Sequence, residues 1–334
     1  MPTITPGDKV LVSGANGFIA TWVVRKFLEK GYAVRGTVRS ADKSKFLQDS
    51  FKSYGDKFEE GAFDEAVKGV NAIAHTASPF YLNAASLDEL IGPAVNGTVS
   101  ILKSAAKNGQ NLKRVVVTSS CASVLEVGVD KVFSELDWNE LAIREIKEQG
   151  DSAPGPSKYR ASKTLAEKAA WEFYEKNKSD IKWDLSVLNP PFVFGPAIHD
   201  VKSTDALNTS ARQWYETVLV DGKSKDFLTV QGSAYIDVRD VAESHVLALE
   251  KEAAGGERII ISAGTFYLPV NAANALSPSP IPSHTPLPVG YPDVATKDPV
   301  KYDTTKGARI LGLKYRTKEE LTRDTLADFE KRGW

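Results

Sequence analysis

A glycine-rich turn between an apolar strand and an amphipathic helix constrains the fold of this chain more than any other segment. The apolar run 9–13 leads directly into Gly14-Ala15-Asn16-Gly17-Phe18-Ile19-Ala20. Helical spacing then continues up to Gly31 through Trp22, Val23, Phe27 and Leu28. Gly14 permits a tight turn, Gly17 lets backbone N–H groups approach an anion, and Ala20 keeps the helix close to the strand. The pattern predicts a dinucleotide pyrophosphate site in a doubly wound α/β fold with a parallel sheet.

The residue after the second predicted strand indicates which dinucleotide binds. The strand covers 33–38, Arg39 follows it, and Lys43 comes shortly after, with no acid before Asp42. An acid at this point accepts a hydrogen bond from the ribose 2′-hydroxyl, whereas a cation accommodates a 2′-phosphate. Arg39 and Lys43 therefore favour NADPH over NADH. The alternative is that both side chains only solvate the start of a helix.

Three further apolar strands end in small or polar residues. They are the runs 72–75, 114–118 and 184–188, followed by Thr76-Ala77-Ser78-Pro79-Phe80, by Ser119-Ser120 and by Asn189-Pro190. Ligands bind at the carboxyl ends of strands in open parallel sheets, so these residues are candidates for one site. His75 closes an apolar strand and is interpreted as a packed, hydrogen-bonded residue without a catalytic role.

Tyr159 and Lys163 stand four residues apart on a predicted helix that begins near Ser157, so both side chains leave the same face. An ammonium close to a phenol favours the phenolate and brings the tyrosine pKa down from about 10 toward neutrality. Such a tyrosine can donate a proton to a reacting group. The spacing alone is also common on surface helices, where the lysine is solvated. A second predicted helix, over 87–108, carries Asn96 beside an apolar stripe.

Charge and cysteine content exclude several classes of function. The 42 lysines and arginines nearly balance 43 aspartates and glutamates, and no basic tract favours nucleic acid or anionic lipid. Cys121 is the single cysteine and four scattered histidines give no zinc-ligand spacing, so we expect no disulfide and no metal. The chain shows no secretion signal and no apolar run of membrane-spanning length. We therefore expect a cytoplasmic protein without a nucleic-acid or membrane partner.

Six segments follow one another in a recognisable order. They are Gly14 to Ala20, His75 to Pro79, Thr118 to Ser120, Tyr159 with Lys163, Asn189-Pro190, and Tyr235-Ile236-Asp237-Val238-Arg239-Asp240-Val241-Ala242. Together they resemble the extended short-chain dehydrogenase/reductase family. Within it, the chain is most similar to fungal NADPH-dependent carbonyl reductases of the methylglyoxal reductase type, and to plant dihydroflavonol and cinnamoyl-CoA reductases. The resemblance covers most of 8–265, and the motifs are far more specific together than singly.

The resemblance implies a Rossmann-type nucleotide-binding domain and a smaller, mixed α/β C-terminal lobe for the substrate. The Rossmann domain would cover 1–189 with a contribution from 235–262, and the substrate-binding lobe would comprise 190–234 and 263–334. In this family, hydride from the nicotinamide reduces a carbonyl while a tyrosine gives its proton to the developing alkoxide. Relatives occur as monomers and as homodimers.

The catalytic residues implied by the resemblance are Ser120, Tyr159, Lys163 and Asn96. Tyr159 matches the proton donor, and Lys163 matches the residue that lowers its pKa and holds the nicotinamide ribose. Ser120 matches the hydroxyl that polarises the carbonyl. Asn96 matches a subsidiary position credited with fixing water in a proton relay, although helix packing explains this asparagine equally well.

The resemblance also implies which residues contact the two ligands. The expected contacts of NADPH are Gly14, Asn16, Gly17, Phe18, Ile19, Arg39, Lys43, Thr76, Ala77, Ser78, Thr118, Tyr159, Lys163, Pro190 and Val193. The expected lining of the substrate pocket is Phe80, Leu125, Pro156 and Phe192; core packing is the alternative for Phe80, Leu125 and Phe192. An apolar lining with few hydrogen-bond donors favours medium-sized aldehydes and ketones.

Two segments depart from the family pattern. Where relatives carry a third strand that ends in an acid against the adenine, only the charged segment 52–60 is present, so we expect that strand to be missing or truncated. The segment 277–292 is dense in proline where relatives carry a helix, and we expect an extended surface loop. The chain then regains regular structure, with an amphipathic helix expected from Lys318 to about Glu330.

Two other functions are compatible with the same fold. A sugar-nucleotide epimerase or dehydratase shares the tyrosine and lysine pair, but such enzymes usually retain NAD and favour an acid where Arg39 stands. A catalytically silent dinucleotide-binding regulatory protein would have no need of Ser120, Tyr159 and Lys163 together. The sequence therefore favours an NADPH-dependent carbonyl reductase.

Overall fold

A parallel sheet of seven strands lies at the centre of the described part of the chain. The computed structural model describes residues 3–38, 40–60, 63–78, 86–220, 224, 232–267 and 300–334. The strands are β1 (Lys9–Ser13), β2 (Ala33–Thr37), β3 (Phe58–Glu60), β4 (Ala72–His75), β5 (Arg114–Thr118), β6 (Val132–Phe133), β7 (Asp184–Asn189), β8 (Phe192–Phe194), β9 (Gly232–Asp237), β10 (Arg258–Ile260), β11 (Gly264–Tyr267) and β12 (Lys301–Tyr302). The large sheet has the order β10-β7-β5-β4-β1-β2-β3, and all its neighbouring strands are parallel.

Helices cover both faces of this sheet. They are α1 (Phe18–Glu29), α2 (Ala41–Phe51), α3 (Phe63–Ala66), α4 (Ile91–Asn108), α5 (Glu140–Gln149), α6 (Gly155–Asn177), α7 (Thr209–Val218), α8 (Val238–Glu250), α9 (Thr305–Leu311) and α10 (Lys318–Lys331). Successive strand residues point to opposite faces, so Val10 and Val12 share a core with α1 and α8, whereas Leu11 shares one with α4 and α6. The predicted doubly wound, Rossmann-type fold is confirmed.

The direction of the strand order changes between β1 and β4. From β1 the chain builds the sheet outward to β2 and β3, and β4 starts the other half on the opposite side of β1. Such a change opens a crevice outside the carboxyl ends of the two strands, which is where ligands bind in open α/β sheets. Ser13 at the end of β1 lies in register with His75 at the end of β4. The glycine turn and Thr76 therefore meet at this crevice.

Two smaller sheets lie outside the parallel one. β9 pairs in parallel with β8 and antiparallel with β11, and β6 pairs in parallel with β12. Trp214 of α7, Phe266 of β11 and Phe329 of α10 share a separate apolar core in this region. The mixed character predicted for the C-terminal region is confirmed. The predicted domain limits stay a prediction. Within the segment 235–262, α8 packs on the large sheet and β10 joins it, whereas 235–237 belong to β9 of a small sheet.

The third strand is present and short. Phe58–Glu60 pairs in parallel with β2. Its one aromatic ring, that of Phe58, packs on the main core and lies 5.5 Å from the ring centroid of Phe51. A single anchored ring is enough to hold a segment that has no apolar run. Of the two expected outcomes, the truncated strand is therefore correct and the missing strand is not.

Two helix predictions differ in outcome. α4 begins at Ile91 and not at Leu87, because an earlier start would place Pro93 in the helix interior, where proline removes a hydrogen bond and clashes with the preceding turn. The last helix, α10, begins as predicted, with a capping box between Thr317 and Glu320.

Arg39, Phe80 and the proline-dense segment 277–292 lie outside the described residues. Within the described residues, the helices lack the combination of length and apolar character that a membrane span requires.

Candidate active site

The glycine turn keeps its backbone open to the crevice. Gly14 has a φ of +64°, a left-handed conformation that favours glycine. A Cβ at Gly14 would lie 3.1 Å from the Cβ of Ala77, and one at Gly17 would lie 3.3 Å from the Gly14 carbonyl oxygen. The first N–H groups of α1, which starts at Phe18, have no partner within the helix and carry its positive dipole end. The turn can therefore receive an anionic group at close range.

The side chain of Ser13 links the two strand ends. Its Oγ lies 2.8 Å from His75 Nδ1 and accepts hydrogen bonds from the backbone N–H groups of Thr76 and Ala77, both at 3.1 Å. Burial, helped by the positive charge of Lys163, lowers the pKa of His75 to about 4, so the imidazole is neutral at physiological pH. Its Nε2 is buried without a hydrogen-bond partner among the described residues. The interpretation of His75 as a packed, hydrogen-bonded residue is confirmed.

Ser120 follows the carboxyl end of β5 and immediately precedes a short 3-10 turn. Its Oγ caps this turn, Cys121–Ser123, by accepting a hydrogen bond from the Ala122 N–H at 3.1 Å. The flanking backbone is attached to β7 and the residue after it, since Ser119 N–H donates to the Leu188 carbonyl at 2.9 Å and Cys121 N–H donates to the Pro190 carbonyl at 2.8 Å. The position of Ser120 is thus set by the next strand of the sheet.

The Tyr159 phenol meets Ser120 from helix α6. Tyr159 is half-buried in the second turn of this helix. Burial raises the pKa of Tyr159 to about 12; a hydrogen bond with the Ser120 side chain lowers it, and the neighbouring Cys121 raises it. The prediction that Lys163 brings this pKa toward neutrality is wrong for the protein alone, because burial is the largest influence. The phenol consequently keeps its proton at neutral pH.

Lys163 is buried one helical turn beyond Tyr159, with 8% of its surface exposed. Burial lowers the pKa of its ammonium to about 8, and the charge of Glu167 acts in the opposite direction. The charge of Lys163 in turn lowers the pKa of His75. Lys163 therefore acts electrostatically on the end of β4, beside the glycine turn.

A buried carboxylate behind Ser120 is the main feature of the site that the sequence interpretation missed. Glu167 Oε2 accepts hydrogen bonds from three side chains: Ser119 Oγ at 2.5 Å, Ser123 Oγ at 2.5 Å and Asn189 Nδ2 at 2.8 Å. Its other oxygen accepts one from Arg258 Nε. Glu167 repeats the four-residue spacing of Tyr159 and Lys163 on α6, and this spacing is the signal that could have revealed it.

Several predicted ligand contacts have protein partners in this structure. Thr118 Oγ1 lies 2.7 Å from His245 Nε2. Lys43 Nζ lies 3.7 Å from a carboxylate oxygen of Asp200, and the Lys43 side chain is 46% exposed. Asn96 is exposed on α4. The expectation that these residues act on cofactor or substrate stays a prediction.

The residues predicted to line the substrate pocket differ in exposure. Leu125 and Phe192 are half-buried, and Pro156 is exposed in the first turn of α6. The Phe192 ring stacks on Phe194 with ring centroids 6.0 Å apart. Val193, predicted to contact the nicotinamide, is buried in the main core. Half-exposed apolar side chains of this kind are compatible with a pocket as well as with core packing.

Comparison with known proteins identifies the family. The model of the family described as NAD dependent epimerase/dehydratase matches residues 10–264, more than half of the chain. This chain belongs to that family, the extended short-chain dehydrogenases/reductases. The predicted resemblance is confirmed. Ser120, Tyr159 and Lys163 all lie within the matched residues.

Relatives within the extended short-chain dehydrogenases/reductases are similar over nearly the whole chain. The NADPH-dependent methylglyoxal reductase of Saccharomyces cerevisiae is 34% identical over 343 residues, which cover 96% of this chain and 98% of the relative. The cinnamoyl-CoA reductase of Medicago truncatula is 34% identical over 342 residues, covering 98% and 97%. The crystal structure of yeast methylglyoxal/isovaleraldehyde reductase complexed with NADPH has a TM-score of 0.85 at 32% identity, covering 97% of this chain and 99% of that one.

Proposed function

We propose that this protein is an NADPH-dependent carbonyl reductase that converts aldehydes or ketones to alcohols. The observation that carries the proposal is the convergence of the Ser120 hydroxyl, which acts on the pKa of the Tyr159 phenol, with Lys163 one helical turn away, beside the crevice where the strand order changes. Three proteins that are similar over almost the whole chain are reductases by name: an NADPH-dependent methylglyoxal reductase, a cinnamoyl-CoA reductase, and a methylglyoxal/isovaleraldehyde reductase solved with NADPH. The epimerase alternative gains no specific support from the site.

Two features of the crevice support the binding of a dinucleotide there. Side chains at Gly14 and Gly17 would fill the space beside Ala77 and the turn, so glycine keeps that space open. The N-terminus of α1 offers backbone N–H groups to a pyrophosphate. Lys43 is exposed on α2, and the sequence pattern assigns it, with Arg39, to the 2′-phosphate. These residues fit NADPH, and we propose that they hold it.

The catalytic residues divide the acid–base work between them. When bound, NADPH supplies the hydride that goes to the carbonyl carbon of the substrate. The Tyr159 hydroxyl gives its proton to the carbonyl oxygen, and the raised pKa of this phenol keeps that proton in place at neutral pH. The Ser120 hydroxyl donates a hydrogen bond to the same oxygen, where negative charge develops. Lys163, with a pKa of about 8, stays charged at neutral pH and stabilises the tyrosinate that proton transfer leaves behind.

We propose medium-sized aldehydes and ketones with an apolar group as the substrates. Leu125 and Phe192 offer half-buried apolar surface near the catalytic loop, and neither provides a side-chain donor that would select a sugar hydroxyl. A cytoplasmic location and a monomeric or homodimeric state are predictions from the sequence.

The test is to follow NADPH absorbance with aliphatic aldehydes, aryl ketones and diketones, with NADH in parallel. We expect turnover with NADPH and slower turnover with NADH. Tyr159→Phe should reduce kcat by about 10³-fold and leave NADPH affinity, measured by fluorescence titration, nearly unchanged. Tyr174→Phe is the matched control, because Tyr174 lies on the same helix among Trp171 and Trp183, and it should leave kcat unchanged. Full activity in Tyr159→Phe would refute the role of the phenol.

A further inference from the structure

The carboxylate of Glu167 is one of the most completely buried charges in the described residues. Its side chain has no exposed surface, and that of Arg258, its ion-pair partner, is 7% exposed. A buried carboxylate is costly unless charge and hydrogen bonds compensate it. Here four donors compensate the charge, Ser119, Ser123 and Asn189 at Oε2 and Arg258 at Oε1.

Arg258 is itself held in place from several sides. Its Nη1 donates to the backbone carbonyls of Glu135, at 3.0 Å, and Asp137, and its Nη2 donates to the Ser123 carbonyl at 3.2 Å. Its guanidinium carbon lies 3.7 Å from the centroid of the Trp138 ring. The positive end of the ion pair is thus fixed, and Glu167 has one available position between Arg258 and the Ser120 loop.

The donors to Glu167 lie on both sides of Ser120. Ser119 precedes it, and Ser123 ends the turn that Ser120 caps. Ser123 Oγ lies 2.7 Å from the Ser120 carbonyl oxygen and 2.5 Å from Glu167 Oε2, so one hydroxyl proton serves two acceptors. Asn189 Nδ2 donates to Glu167 and also to the Ser120 carbonyl, at 3.2 Å. Every one of these contacts restrains the backbone that carries the Ser120 hydroxyl.

Glu167 shares helix α6 with the residues that act on the substrate in the proposed mechanism. Tyr159, Lys163 and Glu167 follow one another at four-residue intervals and so lie on one side of the helix. The same carboxylate that holds the Ser120 loop also acts on the pKa of Lys163, which it raises against the effect of burial. Glu167 therefore connects the Ser120 loop to the same side of α6 that carries Tyr159 and Lys163.

We propose that Glu167 is a positioning residue for the reductase reaction. Its carboxylate fastens the segment 119–123 to α6 and so holds the Ser120 hydroxyl in place beside the Tyr159 phenol. This proposal rests on the function proposed above for Ser120 and Tyr159. The geometric part of it, the fastening of the loop, is independent of any activity.

Hydrogen exchange in the cofactor-free protein tests the geometric part. Glu167→Gln keeps the size of the side chain but turns an amide donor toward groups that are themselves donors, so we expect faster amide exchange over 119–124. Glu135→Gln is the matched control: Glu135 is also buried beside Arg258, and its Oε1 accepts a hydrogen bond from the Ile260 N–H, which glutamine can keep. Unchanged exchange in Glu167→Gln, or equal acceleration in both variants, would overturn the proposal.

Kinetics test the effect on the reaction. A displacement of the Ser120 hydroxyl by about 1 Å should lower kcat about 100-fold in Glu167→Gln, while the NADPH dissociation constant changes less than about threefold. Ser120→Ala already lacks the hydroxyl, so adding Glu167→Gln to it should reduce kcat by no more than about twofold further. If Glu167 acted only through overall stability, the separate losses in kcat of Ser120→Ala and Glu167→Gln would multiply in the double variant.

A milder variant covers the case in which Glu167→Gln does not fold. Ser123→Ala removes one donor to Glu167 and one contact with the Ser120 carbonyl, and it leaves the ion pair intact. We expect a loss of about 10-fold in kcat that disappears in the Ser120→Ala background. Activity of Ser123→Ala equal to that of the wild type would overturn the proposal. Absence of reductase activity in the wild type would refute the function alone, because the exchange measurement still decides the role of Glu167 in the loop.

Discussion

Replacing Gly14 by alanine tests how closely the glycine turn approaches the end of β4. Gly14 has a φ of +64°, and a Cβ there would lie 3.1 Å from the Cβ and 3.2 Å from the Cα of Ala77. The alanine variant therefore suffers two separate penalties. One is the left-handed backbone conformation, and the other is crowding against a residue of the neighbouring strand end.

The structure offers a control that separates the two penalties. Gly69 has a φ of +72°, close to that of Gly14, but a Cβ there would meet no atom within 4 Å. Gly69→Ala should lower the free energy of unfolding by the conformational penalty alone, about 1–2 kcal/mol. Gly14→Ala should lose the same amount and a further 1–3 kcal/mol or so for crowding, since Ala77 must move by a few tenths of an ångström.

Urea unfolding followed by circular dichroism measures both free energies, and fluorescence titration measures NADPH affinity. We expect NADPH affinity to fall at least about 10-fold in Gly14→Ala, because a displacement worth about 1.4 kcal/mol at the binding surface has that effect. Affinity should be unchanged in Gly69→Ala. Equal unfolding free energies in the two variants, with NADPH affinity preserved in both, would refute the close approach of Gly14 to Ala77.

Two further predictions concern stability. Burial lowers the pKa to about 4 in three histidines, His75, His199 and His245. Because the folded protein binds fewer protons there than the unfolded chain, the free energy of unfolding should fall as the pH drops from about 6.5 to 4, by up to about 4 kcal/mol per pH unit. Urea titrations at several pH values measure this slope, and His199→Gln should reduce it by about a third. A slope unchanged by that substitution would contradict the contribution of His199 to the pH dependence. Gly255→Ala would place a Cβ against the carboxylate of Asp184 and the guanidinium of Arg114, an ion pair in which the arginine is 2% and the aspartate 34% exposed. The fold should lose about 3 kcal/mol, the lower end of the cost of breaking a buried pair, with kcat of the folded enzyme unchanged; a loss below about 1 kcal/mol in thermal or urea unfolding would contradict it.

Most of the fold could be predicted because its signals are local. Strands buried on both faces give continuous apolar runs, and β1, β4 and β5 have the predicted limits. The capping box at Thr317 marks the start of α10 in the same local way. The short third strand is harder to predict, since Phe58 holds it through contact with Phe51 and the main core, not through an apolar pattern of its own.

The chemistry of the site was less accessible from sequence. Arg258 is 91 positions away from Glu167 along the chain, and only the packing of β10 beside β7 brings it to α6. The pKa of Tyr159 depends on how deeply the phenol is buried, which residue spacing does not reveal. The spacing of Tyr159 and Lys163 therefore indicated the right helix face, but the state of the phenol required the folded structure.

The short strands at the two margins of the large sheet have a consequence for solubility. Among the described residues, β3 and β10 are the outermost strands, with three residues each. An exposed strand edge offers unpaired N–H and C=O groups to other chains, and short edge strands leave little length on which a second chain can pair. The shortness of β3 therefore protects this edge of the sheet from edge-to-edge aggregation. Lengthening β3 to strengthen this side would expose a longer template for association between molecules.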